Sequence, residues 1–180
     1  REAGLSGEIY DKAHLIISSI LRQKYAPDFP LSISAAICFE QSYGMIDGDS
    51  ASCAELFALL SAIGGIPLRQ DIAVTGSLNQ LGMVQPVGGI SEKITGFFDT
   101  CTILGLTGTQ GALIPQGNKN NLFLPERVIN AIAEKRFRIW AVSNIDEGIE
   151  LLSGMDTTSV TVRVSAALRD FAEKVKAFRK

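Results

Sequence analysis

The stretch Gly44-Met45-Ile46-Asp47-Gly48-Asp49-Ser50-Ala51-Ser52-Cys53-Ala54-Glu55 runs a glycine- and acid-rich turn into an apolar helix, with Ser50 expected on the first turn of that helix. N–H groups at a helix start lack intrahelical acceptors, and the macrodipole favours negative charge there. A serine in that position can attack a carbonyl, and the developing oxyanion can be met by nearby N–H groups. What the stretch lacks is a base. Gly48-Asp49-Ser50-Ala51-Ser52 approaches the G-x-S-x-G nucleophile elbow but ends in serine. That elbow also needs an acid and a histidine downstream. The single histidine, His14, lies upstream on the first predicted helix, where a surface role accounts for it, and no S-x-x-K motif occurs.

A lysine can serve a serine nucleophile instead. It must then act in its neutral form, which burial or the positive end of a helix favours. Lys93 has the second property. It follows Gly88-Gly89-Ile90-Ser91-Glu92 and falls on the first turn of a helix carrying Ile94, Phe97 and Phe98. Cations otherwise favour helix C-termini. Read locally, a solvated Lys93 or a pair with Glu92 explains the position equally well.

Composition narrows the class. With 180 residues, 46% hydrophobic and 20% charged, one domain spanning residues 1–180 is expected, its core over about 7–154 and a C-terminal helix over 157–180. A net charge of −2 gives no electrostatic case for nucleic acid or an anionic membrane. Cys38, Cys53 and Cys101 form no CxxC pair, so core thiols in a reducing, cytoplasmic compartment are expected. One histidine rules out a multi-histidine metal centre, and no metal is expected. No apolar run reaches the roughly 18 residues of a spanning helix. The opening Arg1-Glu2-Ala3 carries no secretory pattern and reads as the start of a piece of a longer protein. The chain has no G-x-x-x-x-G-K-[ST] loop, so it holds no P-loop ATPase of its own.

The elements that must position Ser50 and Lys93 follow from periodicity. After a loose lead-in over residues 1–6, apolar residues from Ile9 to Leu21 recur at helical spacing, predicting a helix over 7–25 that Pro27 and Pro30 end. Leu31 to Phe39 reads as a strand. A helix over 50–63 stops at Gly64-Gly65-Ile66-Pro67. Asp71 to Thr75 and Gly82 to Val87 read as two strands of a hairpin. Ser91 is the expected cap of a helix reaching Leu104. Then follow a strand at 112–114, a polar loop at 118–121, a helix at 124–135, a strand at 137–142 containing Trp140 as a core residue, and helices at 145–152 and 160–178. The basic residues Arg163, Arg169, Lys174, Lys176, Arg179 and Lys180 are interleaved with acids and read as a solvated helix face. The fold class is mixed α+β, with small sheets and flanking helices.

Taken together, these residues resemble the proteolytic domain of Lon, an ATP-dependent serine protease with a Ser-Lys dyad, from about Gly7 to Gly154. The family's Asp-Gly-Pro-Ser-Ala-Gly motif appears as Asp47-Gly48-Asp49-Ser50-Ala51-Ser52, a version closer to the LonB-like and archaeal branch. Its Thr-Gly turn appears as Thr75-Gly76 and its Gly-Gly-x-x-x-Lys segment as Gly88 to Lys93. Thr75 lies 25 residues after Ser50 and Lys93 lies 43 after it, which matches the family pattern.

The resemblance implies Ser50 as nucleophile and Lys93 as general base. It implies that Thr75 orients the lysine, and that the N–H of Ser50 lies in the oxyanion hole. It gives Asp47 the option of pairing with Lys93 and holding it inactive, and Asp49, in place of the bacterial proline, a similar influence. It further implies unfolded or damaged protein substrates, a hexameric ring, and an ATPase module elsewhere in the full chain that uses ATP and Mg²⁺; this domain itself needs no cofactor. Two other readings stay open: a latent Lon-fold assembly domain with Lys93 locked by Asp47, and a competence-regulator-type homologue that shares the fold.

Overall fold

A computed structural model describes residues 6–39 and 43–178. The lead-in over residues 1–5, together with Arg179 and Lys180 of the basic C-terminal group, lies outside the described residues.

Helix α1 (Glu8–Ile20) buries Tyr10, Ala13, Ile17 and Ile20 along one face and runs on as a π-helical turn, Leu21–Tyr25. Helix α2 (Ser52–Gly64) ends at Gly65, whose φ of 58° lies in the left-handed region that favours glycine. Three short strands follow: β1 (Ile72–Val74), β2 (Ser77–Leu78) and β3 (Val84–Gln85). Next come α3 (Ile90–Leu104), β4 (Gly111–Pro115), a 3-10 turn at Gln116–Asn121 and α4 (Glu126–Ala133). The chain closes with β5 (Arg138–Val142), α5 (Ile145–Ser153) and α6 (Thr157–Phe178).

The sheet of three strands is parallel, in the order β1-β4-β5. Parallel strands need crossovers, and α3 and α4 supply them. Side chains alternate across β4 and β5, so the sheet separates two apolar clusters. On one side Leu113 and Val142 join residues of α1, α2, α5 and α6, among them Leu56, Phe57, Leu60, Val164 and Leu168. On the other, Ala112 and Ile114 meet Ile90, Ile94 and Phe98 of α3, Val128 and Ala131 of α4, and Phe137.

Several expected elements differ. The segment 31–39 is not a strand, although Leu31 and Ile33 still pack on the larger cluster. The stretch at 71–75 does not form a hairpin with 82–87. Instead β1 pairs in parallel with β4, and β2 pairs antiparallel with β3. Ser91 is not the cap of α3, because Gly89 with φ 64° holds that position. The Ser91 hydroxyl instead accepts the N–H of Phe123 at 2.9 Å, tying α3 to the approach to α4.

Candidate active site

Ser50 sits in the turn before α2, not on the helix itself, which begins at Ser52. The turn is sewn to the β1–β2 connection at several points. The N–H of Gly76 donates to the carbonyl of Ser50 at 2.9 Å, and the N–H of Cys53 donates to Gly76 O at 3.1 Å. The Ser52 hydroxyl donates to Asp49 O at 2.7 Å and accepts the N–H of Leu78 at 3.1 Å. A Cβ at Gly76 would lie 3.0 Å from Cys53 Sγ and 2.9 Å from Val84 Cγ1. Glycine is therefore what lets the connection pass so close to α2. Gly48 has φ 94°, a conformation that L side chains rarely adopt, and it turns the chain toward Ser50.

Lys93 arrives from the other side of the sheet. It lies in the first turn of α3, where its N–H donates to Gly89 O at 3.0 Å. Ile90 and Ile94 beside it are buried, which fixes the helix and leaves Lys93 on its exposed face. From there Nζ donates to Ser50 Oγ at 3.0 Å. The two residues line a cleft of about 260 Å³ whose remaining walls are Ala51, Ala73, Val74, Thr75, Ile94 and Ala112. The N–H groups of Ser50 and Ala51 have no acceptor among the described residues.

The Thr75 hydroxyl donates to the carbonyl of Ser50 at 3.3 Å, and its N–H donates to Leu113 O at 3.1 Å. It thus holds the backbone of Ser50, whereas the resemblance places it on the lysine. The two aspartates are also engaged elsewhere. Asp49 Oδ2 accepts the hydroxyl of Ser77 at 2.7 Å. Asp47 Oδ1 accepts the N–H groups of Ile9, Tyr10 and Gly48. Among the described residues, no carboxylate lies within 4.0 Å of the Lys93 ammonium.

Ser77, which is buried, is a site-building residue that sequence reasoning missed, and Ser52, read as a helix and core residue, is buried at the start of α2 and helps to build the site. The serine-rich wording of Ser50-Ala51-Ser52 was the available signal for Ser52; nothing local marked Ser77. His14 does not line the Ser50 cleft and instead stands 4.0 Å from the buried carboxylate of Glu55 on α2. Burial pushes the Cys53 thiol up to about 12, which leaves it protonated and inert at neutral pH. Among the described residues, no group of three or more His, Cys, Asp or Glu could hold a metal ion, and no helix is long and apolar enough to cross a membrane.

The family described as Lon protease (S16) C-terminal proteolytic domain matches residues 39–153. A putative Lon protease homolog of Escherichia coli K12 is 45% identical over 152 residues, which cover 84% of this chain and 26% of that protein. A putative Lon protease homolog of Haemophilus influenzae is 44% identical over 156 residues, 87% of this chain and 26% of that protein. An archaeal Lon protease of Pyrococcus abyssi is 34% identical over 149 residues, 82% of this chain and 14% of that protein. The chain therefore spans about a quarter or less of the length of these relatives.

Proposed function

The chain belongs to the family of Lon protease C-terminal proteolytic domains, and from that premise we propose that it is a serine endopeptidase whose dyad is Ser50 and Lys93. The observation that carries the reading is the 3.0 Å approach of Lys93 Nζ to Ser50 Oγ across the cleft. Nucleophile and base must lie within hydrogen-bond reach before any pKa matters.

In this mechanism neutral Lys93 takes the proton of Ser50 as Oγ bonds to the scissile carbonyl carbon. The carbonyl oxygen becomes an oxyanion and is received by the N–H groups of Ser50 and Ala51, which no other described group occupies. The C–N bond then breaks, and the Lys93 ammonium returns the proton to the leaving amine. Water, deprotonated by Lys93, attacks the resulting ester, the acid product leaves, and Ser50 regains its proton. The engagement of Asp47 and Asp49 away from Lys93 supports the working arrangement over the locked one.

The whole protein's activity extends the same reading: an ATPase module in the remaining length, using ATP and Mg²⁺, feeds unfolded or damaged polypeptides to a hexameric ring in the cytoplasm. The test uses full-length protein and a fluorogenic peptide, with and without ATP. Ser50→Ala and Lys93→Ala should each reduce cleavage to background. Parental turnover in either variant rules the dyad out.

A further inference from the structure

Helix α1 begins without a cap of its own. Its N-cap residue is Gly7, which has no side chain to accept the orphan N–H groups of the first turn. A capping side chain normally accepts from the second and third helical residues. Those are Ile9 and Tyr10, and their N–H groups donate to Asp47 Oδ1 at 3.2 and 3.3 Å, from a residue 38 and 37 positions away in the chain. Asp47 therefore does from a distance what a serine or aspartate at position 7 would do locally. A Cβ at Gly7 would lie 2.3 Å from Asp47 Cγ and 2.5 Å from Oδ1. The backbone of Gly7, with φ −88° and ψ 166°, is open to any residue. Position 7 is thus confined to glycine by the visiting carboxylate, not by its own conformation.

The contact continues into the chain on either side. The N–H of Gly7 donates to Ile46 O at 2.8 Å, and Ser6 bridges Ile46 in parallel. The same Asp47 oxygen accepts the N–H of Gly48 at 2.8 Å, which opens the turn that delivers Ser50. Downstream, Ser50 is held by Thr75, Gly76 and the Asp49–Ser77 contact. Upstream, among the described residues, its turn is held by the backbone of Ser6 and Gly7 on Ile46 and, through a side chain, by Asp47 on α1.

We propose that Asp47 is a positioning residue: by capping α1 from across the chain it anchors the turn that presents Ser50 to Lys93. This rests on the dyad reading above. It assigns the aspartate three positions before the serine a role in keeping the site assembled, opposite in sign to locking the lysine.

Four variants of the full-length protein test it, assayed by peptide cleavage and thermal unfolding. Asparagine caps helices about as well as aspartate but carries no charge, so Asp47→Asn should keep kcat/KM within about threefold of the parent. Asp47→Ala should lower it by about tenfold or more, in kcat more than KM, since misplacing a reacting group by about 1 Å costs up to about a hundredfold. The swap Gly7→Ser with Asp47→Gly, which also removes the Cβ that would stand 2.7 Å from a Cβ at position 7, gives α1 a local cap and leaves the turn without its side-chain anchor. It should recover the melting temperature lost in Asp47→Ala without recovering kcat, and it stays informative where Asp47→Ala alone fails to fold. Recovery of kcat together with the melting temperature reduces Asp47 to a stability residue and overturns the proposal. So does activity above the parent in Asp47→Asn, the mark of a released lysine, or parental activity in Asp47→Ala. Lys93→Ala run alongside separates the two readings. Surviving cleavage there removes the dyad and the positioning role with it, whereas lost cleavage there beside parental Asp47→Ala overturns the positioning role alone.

Discussion

Thr75 acts on the backbone of Ser50, and that determines what its removal should do. The carbonyl of Ser50 accepts both the Thr75 hydroxyl and the N–H of Gly76. Thr75→Val keeps shape and β-branching and deletes one of the two donors. A neutral hydrogen bond is worth about 1 kcal/mol, which corresponds to about fivefold in rate if all of it bears on the placement of Ser50. The expected result is a kcat about fivefold lower with KM little changed, and near-parental kcat in Thr75→Ser. Unchanged kcat in Thr75→Val removes the role. At this scale the proposed pair came from the resemblance, because Lys93 read locally is explained equally well by solvent or by Glu92. The contacts of the supporting residues were not legible. Asp47, Asp49 and Ser77 are ordinary turn residues by type, and only the folded chain brings Asp47 to α1 and Asp49 to Ser77.

At the scale of elements, two glycines should respond to alanine with opposite signs. Gly111 opens β4, where a Cβ would lie 2.2 Å from Arg138 O and 2.6 Å from the Trp140 ring. Gly111→Ala must push β5 away from β4 and should cost about 1–3 kcal/mol, the range for overpacking a filled site. Gly96 lies within α3 on its exposed face, with nothing within 4 Å of its would-be Cβ. Gly96→Ala should stabilise by about 0.5–1 kcal/mol through helix propensity and a less flexible unfolded chain. Urea titration of both variants checks the pair, and equal signs contradict the packing described. The helices were legible because apolar residues recur over three or more turns in α1, α2, α3 and α6. Strand pairing was not, since β1 to β3 are two or three residues long and a period of two cannot choose a partner from so few. The sequence neighbours 71–75 and 82–87 suggested a hairpin, yet β1 joins β4 across the α3 crossover. The apolar alternation of 31–39 reflects packing of Leu31 and Ile33 on the core, a demand that an extended segment meets without a ladder.

The whole molecule places the two residues of the proposed dyad on opposite sides of one sheet. Ser50 leads into α2, part of the larger cluster, while Lys93 rides on α3, part of the smaller one. Their distance is therefore set by how both layers seat on β1-β4-β5, and the clamp at the entrance to β1 bears on that seating. Arg69 holds Asp71 through Nε at 3.0 Å and Nη2 at 2.8 Å, and also donates to Thr109 O at 2.9 Å. Its N–H donates to Leu152 O at 2.8 Å, and its guanidinium stands 5.4 Å from the Trp140 ring centre. The Asp71 carbonyl in turn accepts the N–H of Gly111 at 3.1 Å. Hydrogen bonding from Arg69, against a smaller opposing effect of burial, lowers the Asp71 carboxyl from 3.8 to about 2. A carboxyl depressed by folding contributes stability that is present above its unfolded value and is lost as pH falls through its folded value. That places the loss between about pH 4 and pH 2. At face value the shift is worth about 2 kcal/mol, but with side chains 29% and 36% exposed, solvent screening reduces it to about 1 kcal/mol. Asp71→Asn should therefore be less stable than the parent by about 1 kcal/mol at pH 7 and pH 5, with the gap closing as pH falls from about 4 to about 2. Equilibrium unfolding at a series of pH values reads the difference directly. A gap that persists unchanged to the acid end would show that Asp71 acts through its shape and neutral hydrogen bonds, and that its charge contributes nothing to joining the two layers.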